Sequence, residues 1–209
     1  MHSGTISDLA TILEASVMSP DDRPHVEVLL LDGAVVVNML KPGACRTFQE
    51  KNVFLKYLTS QMHDVSKLLD IVWDEYIHDS LKSMSRSKRG KGVRRRVEPN
   101  NRIPGNWNAF LRVDENKAEL FRFLADLSIG LKVGGKQVIS MRGHGVVCNS
   151  DIDICNLSPC THEEADTRIL LHAAECATQG FNTVMIRTVD TDLMIIACSM
   201  YHVPTSGNH

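Results

Sequence analysis

Four groups of acidic residues stand where apolar stretches of the chain end or begin. Asp32 closes VEVLLLD, Asp74 closes LLDIVWD, and Asp190 and Asp192 follow MIRTV. Glu163, Glu164 and Asp166 open a long stretch with an apolar stripe. In open α/β sheets, sites form beyond the carboxyl ends of the strands, so neighbouring strands ending in acid would converge on one edge. Bare carboxylates brought together repel and raise one another's pKa. Mg²⁺ and Mn²⁺ remove that cost, since both take carboxylate and water oxygens as ligands. Two such ions about 4 Å apart can activate water and stabilise the leaving oxygen of a phosphodiester.

Each acid also has a plainer use. Glu164 follows Thr161 at capping-box spacing, and Glu163 suits a helix N-terminus through the dipole. Asp32-Gly33 and Asp190-Thr191-Asp192 read as ordinary turns. Any one of them is more often structural than catalytic; four groups at element ends point toward a metal site.

A second chemistry is carried by positive charge. Residues 82 to 96 contain Lys82, Arg86, Lys88, Arg89, Lys91, Arg94, Arg95 and Arg96 and no acid, although the net charge is only −2. The other 15 Lys and Arg face 25 acids, a balance of −10. A positive segment on an acidic body suits a polyanion such as DNA or RNA bound beside a cation site. A solvated loop or an import signal accounts for the same residues about as well.

The cysteines and aromatics offer less. Cys155, Cys160 and His162 with Cys148 have loose spacing for zinc, and core or loop thiols are the default. Trp107, after Pro104-Gly105-Asn106, suits a buried anchor better than a base-stacking platform. Gly143-His144-Gly145 reads as a tight turn. Glycine-rich phosphate loops and nucleophile elbows are absent from the sequence.

The elements needed to position the acids are legible as patterns. Val28 onward is apolar on both faces, as in a buried parallel strand, and Leu68–Trp73 is a second strand. Helices are expected over Ser7–Val17, Phe48–Val65, Glu115–Leu127 and Thr161–Gln179, the last stopped by Gly180. Gln137–Met141 and Thr183–Thr188 are further strands, and Leu193–Ala197 is a strand or short helix. Residues 99–108 read as a loop. The alternation implies an α/β domain with a mostly parallel central sheet flanked by helices in three layers. Membrane-spanning and secretory segments are not expected, and the sparse cysteines suit the reducing cytoplasm or nucleus.

In order and context these residues resemble the flap-endonuclease branch of the PIN-like nucleases, over roughly residues 26 to 198. The matching segments are LLLDG, then IVWDEYIHDSLKSMSRSKRGKGVRRR, then Glu164-Ala165-Asp166 opening a helix, then Asp190-Thr191-Asp192 after a strand. SLKSMSRSKRGKGVRRRV, RIPGNW and HEEADTR are also similar to a group of animal proteins without an assigned activity. The nuclease resemblance implies that Asp32, Asp74, Glu164, Asp166, Asp190 and Asp192 are catalytic metal ligands for Mg²⁺ or Mn²⁺, two ions in all. It also suggests that Lys82, Arg86, Lys88 and Arg89 contact the scissile phosphate or its neighbours; Arg94, Arg95 and Arg96 join them as nucleic-acid-binding residues through phosphate neutralisation along the basic segment. The expected organisation is a helical extension over 1–25, a PIN-like domain over 26–200 and a tail over 201–209. A basic loop over 80–97 and an insertion over 98–135 interrupt that domain, and its sheet is incomplete at the C-terminus. The expected activity is hydrolysis of DNA or RNA; the alternative is a nucleic-acid-binding module of the same fold without hydrolysis.

Overall fold

The computed structural model describes residues 25–43, 45–50, 52–76, 92–151 and 153–200. The expected helix Ser7–Val17 and the basic residues Lys82, Arg86, Lys88, Arg89 and Lys91 lie outside these residues. The chain falls into two units, one from His25 to Arg187 and a second to which the described residues from Thr188 onward belong.

The larger unit is built on five strands: β1 (Val26–Asp32), β2 (Val65–Val72), β3 (Gln137–Arg142), β4 (Gly145–Cys148) and β5 (Val184–Arg187). Their order across the sheet is β4-β3-β2-β1-β5. The β1–β2, β1–β5 and β2–β3 pairs are parallel, and β4 runs antiparallel to β3 as the outer strand of a hairpin. Val28, Leu30 and Leu31 on β1 and Leu69, Ile71 and Val72 on β2 are fully buried. Each such side chain gains about 1.5–3 kcal/mol from leaving water. The strands are apolar on both faces because both faces are covered.

Helix α1 (Gly33–Met39) follows β1 directly. A 3₁₀ turn at Phe48–Glu50 precedes α2 (Asn52–His63), and α3 (Trp107–Leu111) and α4 (Asp114–Ser128) lie between β2 and β3. Helix α5 (Ala165–Thr178) precedes β5. Residues three apart on an extended chain point to opposite faces. Asp70 reaches His172 on α5, whereas Trp73 packs against Phe54 of α2 and Phe121 of α4. Helices α2 and α4 therefore share one face and α5 covers the other, giving three layers.

Several sequence-based boundaries shift. β2 begins at Val65, three residues before the expected strand, and ends two residues before Asp74. The helix expected from Phe48 begins at Asn52 after its 3₁₀ turn. Residues 98–135 supply α4, which packs on β3 and α2 as part of the helical layer. The loop read over 99–108 ends at Asn106, whose side-chain oxygen accepts from Ala109 N at 2.9 Å and starts α3. Trp107 is buried and stacked on Phe110, centroids 5.0 Å apart.

In the second unit, α6 (Thr191–Met200) is a helix, resolving the strand-or-helix choice over Leu193–Ala197.

Candidate functional site

The carboxyl edge of the sheet is where β1 and β2 end side by side, with Asp32 opposite Val72 in register. Asp32 is buried, 7% exposed, and its Oδ1 accepts the Val35 amide at 3.1 Å, capping α1. A turn residue was the plainer sequence reading, and the helix cap gives it a physical form: one of four orphan amides of α1 is satisfied. Gly33 follows because the Trp73 ring lies on it. A Cβ at Gly33 would stand 2.3 Å from Trp73 Cε3. Trp73 is fixed by stacking on Phe121, centroids 4.7 Å apart, and its Nε1 donates to Ser140 Oγ at 3.0 Å. Asp32-Gly33 and Trp73-Asp74 thus meet through this glycine–indole contact.

Asp74 is half-buried and its Oδ1 accepts from Ala165 N, the first residue of α5, at 2.9 Å. Glu75 N donates to Glu163 O at 2.8 Å. These two bonds bring the start of α5 to the end of β2, so Glu163, Glu164 and Asp166 lie along the edge that carries Asp32 and Asp74. The helix begins at Ala165 rather than at Thr161, and Glu164 makes no side-chain cap bond. Thr161 therefore stands ahead of the helix rather than at its N-cap, and Asp74, just beyond β2, supplies the acceptor for the first helical amide.

Two residues at this edge were not singled out from the sequence. Arg168 on α5 is 1% exposed, the largest of the fully buried side chains. Its Nε donates to His162 O at 2.5 Å, and its Nη1 donates to Gly143 O at 3.0 Å and Trp73 O at 3.4 Å. It thereby ties the end of β2, the β3–β4 turn and the segment before α5 together. Burial pulls its pKa below the ordinary arginine value, and the charges of Cys160, Glu75 and Asp74 oppose that shift. Glu75, also buried, takes a hydrogen bond from Arg122 Nη2 at 3.3 Å. The doublet Asp74-Glu75 was the only sequence signal for it. Nothing in the 3.6-residue pattern of α5 marks Arg168 as buried, because its position reads as an ordinary polar residue between apolar ones.

Asp190 and Asp192 belong to the second unit. Asp190 Oδ1 accepts the amides of Asp192 at 2.8 Å and Leu193 at 3.4 Å, so this acid starts α6.

Of the basic segment, Arg94, Arg95 and Arg96 are described. The Arg94 guanidinium pairs with Glu119 and donates to Asn116 Oδ1 at 2.9 Å. Arg96 is 77% exposed, with Nη1 4.0 Å from Glu98.

The carboxylate donors at the edge suit Mg²⁺ or Mn²⁺ chemically. Among the described residues, however, no group of three or more His, Cys, Asp or Glu side chains is arranged to hold a metal ion. Asp32 and Asp74 each give one oxygen to a backbone amide at a helix start, and Glu75 pairs with Arg122. Fold and edge together define an α/β protein with a mostly parallel sheet and acids at its strand ends. Compared with known protein families, curated proteins and solved structures, the chain finds no match.

Proposed function

We propose that the chain is a divalent-metal-dependent phosphodiesterase acting on DNA or RNA, of the flap-endonuclease-like kind. The observation that carries this reading is the juxtaposition at one sheet edge. β1 and β2 are adjacent and parallel, Asp32 is the last residue of β1, Asp74 lies two residues beyond the end of β2, and Asp74 accepts from the first amide of the helix that carries Asp166 and follows Glu164. Mg²⁺ or Mn²⁺ bound by such acids would neutralise phosphate charge and lower the pKa of water. Asp32, Asp74, Glu164 and Asp166 would be the ligands offered by the His25–Arg187 unit. Asp190 and Asp192 enter the reading from their spacing after β5. The basic segment, with Lys82, Arg86, Lys88 and Arg89, would hold the polyanion by neutralising phosphates.

The test exploits the caps. Asp32→Asn and Asp74→Asn keep a side-chain oxygen for the Val35 and Ala165 amides while removing the charge a cation needs. Mn²⁺- or Mg²⁺-dependent cleavage of labelled flap, duplex and single-stranded substrates is expected to fall by more than about a hundredfold in each variant, with melting temperature nearly unchanged. Cleavage that survives both substitutions, or that needs no divalent ion, rejects the proposal. Asp190→Asn and Asp192→Asn extend the same test to the second unit.

A second reading, a nucleic-acid-binding module without hydrolysis, is favoured by one specific feature: the buried Arg168 stands where a countercharge to Asp74 and Glu75 is needed. Salt-sensitive binding with no cleavage under any divalent metal is its expected outcome.

A further inference from the structure

We propose that residues 92–112 form a ridge that docks along the phosphate backbone of a nucleic acid, with Arg95, Arg102 and Arg112 meeting the phosphates and Arg94 serving as an internal strut. This rests on the polyanion-binding part of the reading above and divides its arginines by role.

The ridge is assembled around one buried amide. Asn116 on α4 is 0% exposed. Its Nδ2 donates to Val93 O at 2.7 Å and Phe110 O at 2.8 Å, and its Oδ1 accepts from Arg95 N and Arg94 Nη1, both at 2.9 Å. A single side chain thus binds the extended segment after the basic run to the end of α3. Glu119, one turn further along α4, accepts the Val97 amide at 2.9 Å and the Arg94 guanidinium. Burial pushes the Glu119 carboxyl up, but the Arg94 hydrogen bond and the Val97 amide outweigh it, and its pKa lies below the ordinary value. Val93 N donates to Ala109 O at 3.2 Å. Asn101 Nδ2 donates to Arg96 O at 3.3 Å, which joins the Arg102 segment to the same framework. A Cβ on Gly92 would lie 3.2 Å from Arg112 Cβ, so Arg112 adjoins the start of the ridge.

Over these 21 residues there are five arginines and one acid, Glu98. Arg94 is occupied by Glu119 and Asn116, and Arg96 is within 4.0 Å of Glu98. Arg95, Arg102 and Arg112 are exposed and have no carboxylate partner among the described residues. Three exposed guanidiniums carried on a hydrogen-bonded backbone offer phosphate oxygens the fork of donors that arginine presents. An acidic protein partner is disfavoured by what the ridge lacks. Val93 is its only exposed large apolar side chain, whereas protein interfaces are anchored by aromatic and apolar residues in desolvated pockets.

The experiment measures binding of the full chain to labelled mixed-sequence single-stranded DNA, duplex DNA and RNA across a salt series without divalent metal. The comparison is with Arg95→Gln/Arg102→Gln/Arg112→Gln and, separately, with Arg94→Gln. The triple variant is expected to bind at least about tenfold more weakly at low salt. It should also lose about one unit of the log K against log salt slope per arginine, at unchanged melting temperature. Arg94→Gln is expected to lower the melting temperature and keep the wild-type slope. Wild-type affinity in the triple variant overturns the ridge while leaving nucleic-acid binding intact. Failure of the wild-type chain to bind any nucleic acid overturns both, as does a preference for polyglutamate or phosphatidylserine vesicles. A flattened slope in Arg94→Gln with no loss of stability overturns the strut role.

Discussion

Asp32 and Asp74 show how one side chain can serve a fold and still be a candidate for chemistry. A cap needs an acceptor oxygen, and a cation needs charge; asparagine separates the two. Replacing Asp74 by alanine removes the acceptor for Ala165 N and is expected to cost about 1 kcal/mol, read as a lower urea midpoint, whereas Asp74→Asn should stay within a few tenths of the wild type. The buried pair Asp70–His172 is a different case, with His172 Nδ1 2.5 Å from Asp70 Oδ2 and both side chains essentially sealed from water. His172→Ala leaves a buried carboxyl group without that partner and should destabilise by about 3 kcal/mol, while replacing both residues by leucine should cost much less. Equal losses in the single and double variants would show that the pair is not coupled. Cys176, one turn after His172, has its thiol pushed up to about 12 by burial, with the charges of Asp70 and Glu175 adding to it, from an ordinary 9.0. The raised value means the neutral thiol is favoured in the fold, so its contribution to stability is complete below pH 9 and is lost as pH climbs toward 12. Denaturation midpoints measured from pH 8 to 11 should therefore fall more steeply for the wild type than for Cys176→Ala.

At the scale of elements, the sequence disclosed what depends on runs of apolar residues and concealed what depends on who caps whom. β1 and β2 were visible because LLL and LLDIV are buried on both faces, and α4 because Leu120, Phe121 and Leu124 recur at helical spacing. β4, only GVVC, was too short and too exposed to register beside the glycine turn that precedes it. The start of α5 was misread by four residues because Thr161 and Glu164 mimic a local capping pair, while the actual acceptor, Asp74, is 91 positions away in the chain. α6 was ambiguous because TDLMIIACSM is apolar on nearly every side, which erases periodicity; Asp190 decides the matter by accepting two amides at its start. The acids of the candidate site were likewise nameable from their positions, whereas the buried Arg168 among them was not. Gly33→Ala is the sharpest test at this scale. The added methyl meets an indole held by stacking and by Ser140, so the ring cannot swing away cheaply, and a loss of about 1–3 kcal/mol is expected in chemical denaturation.

Across the whole molecule the order of the strands carries a consequence for dynamics. β1 is hydrogen-bonded on both sides, by β2 and by β5, and β2 lies between β1 and β3. Their amides can meet solvent only when flanking ladders part, so they belong with the units that open at close to the global free energy. β5 and β4 are the margins of the sheet among the described residues, and all four residues of each are only half-buried. In deuterium exchange followed by mass spectrometry, peptides covering Val28–Leu31 and Leu68–Val72 should retain protons longest. Peptides covering Val146–Cys148 and Val184–Arg187 should label early, through fraying that leaves the centre closed. Because the β1 and β2 ladders run up to the residues beside Asp32 and Asp74, the slowest-labelling backbone would also be the one that supports those two carboxylates, and their spacing would persist while the borders of the sheet breathe.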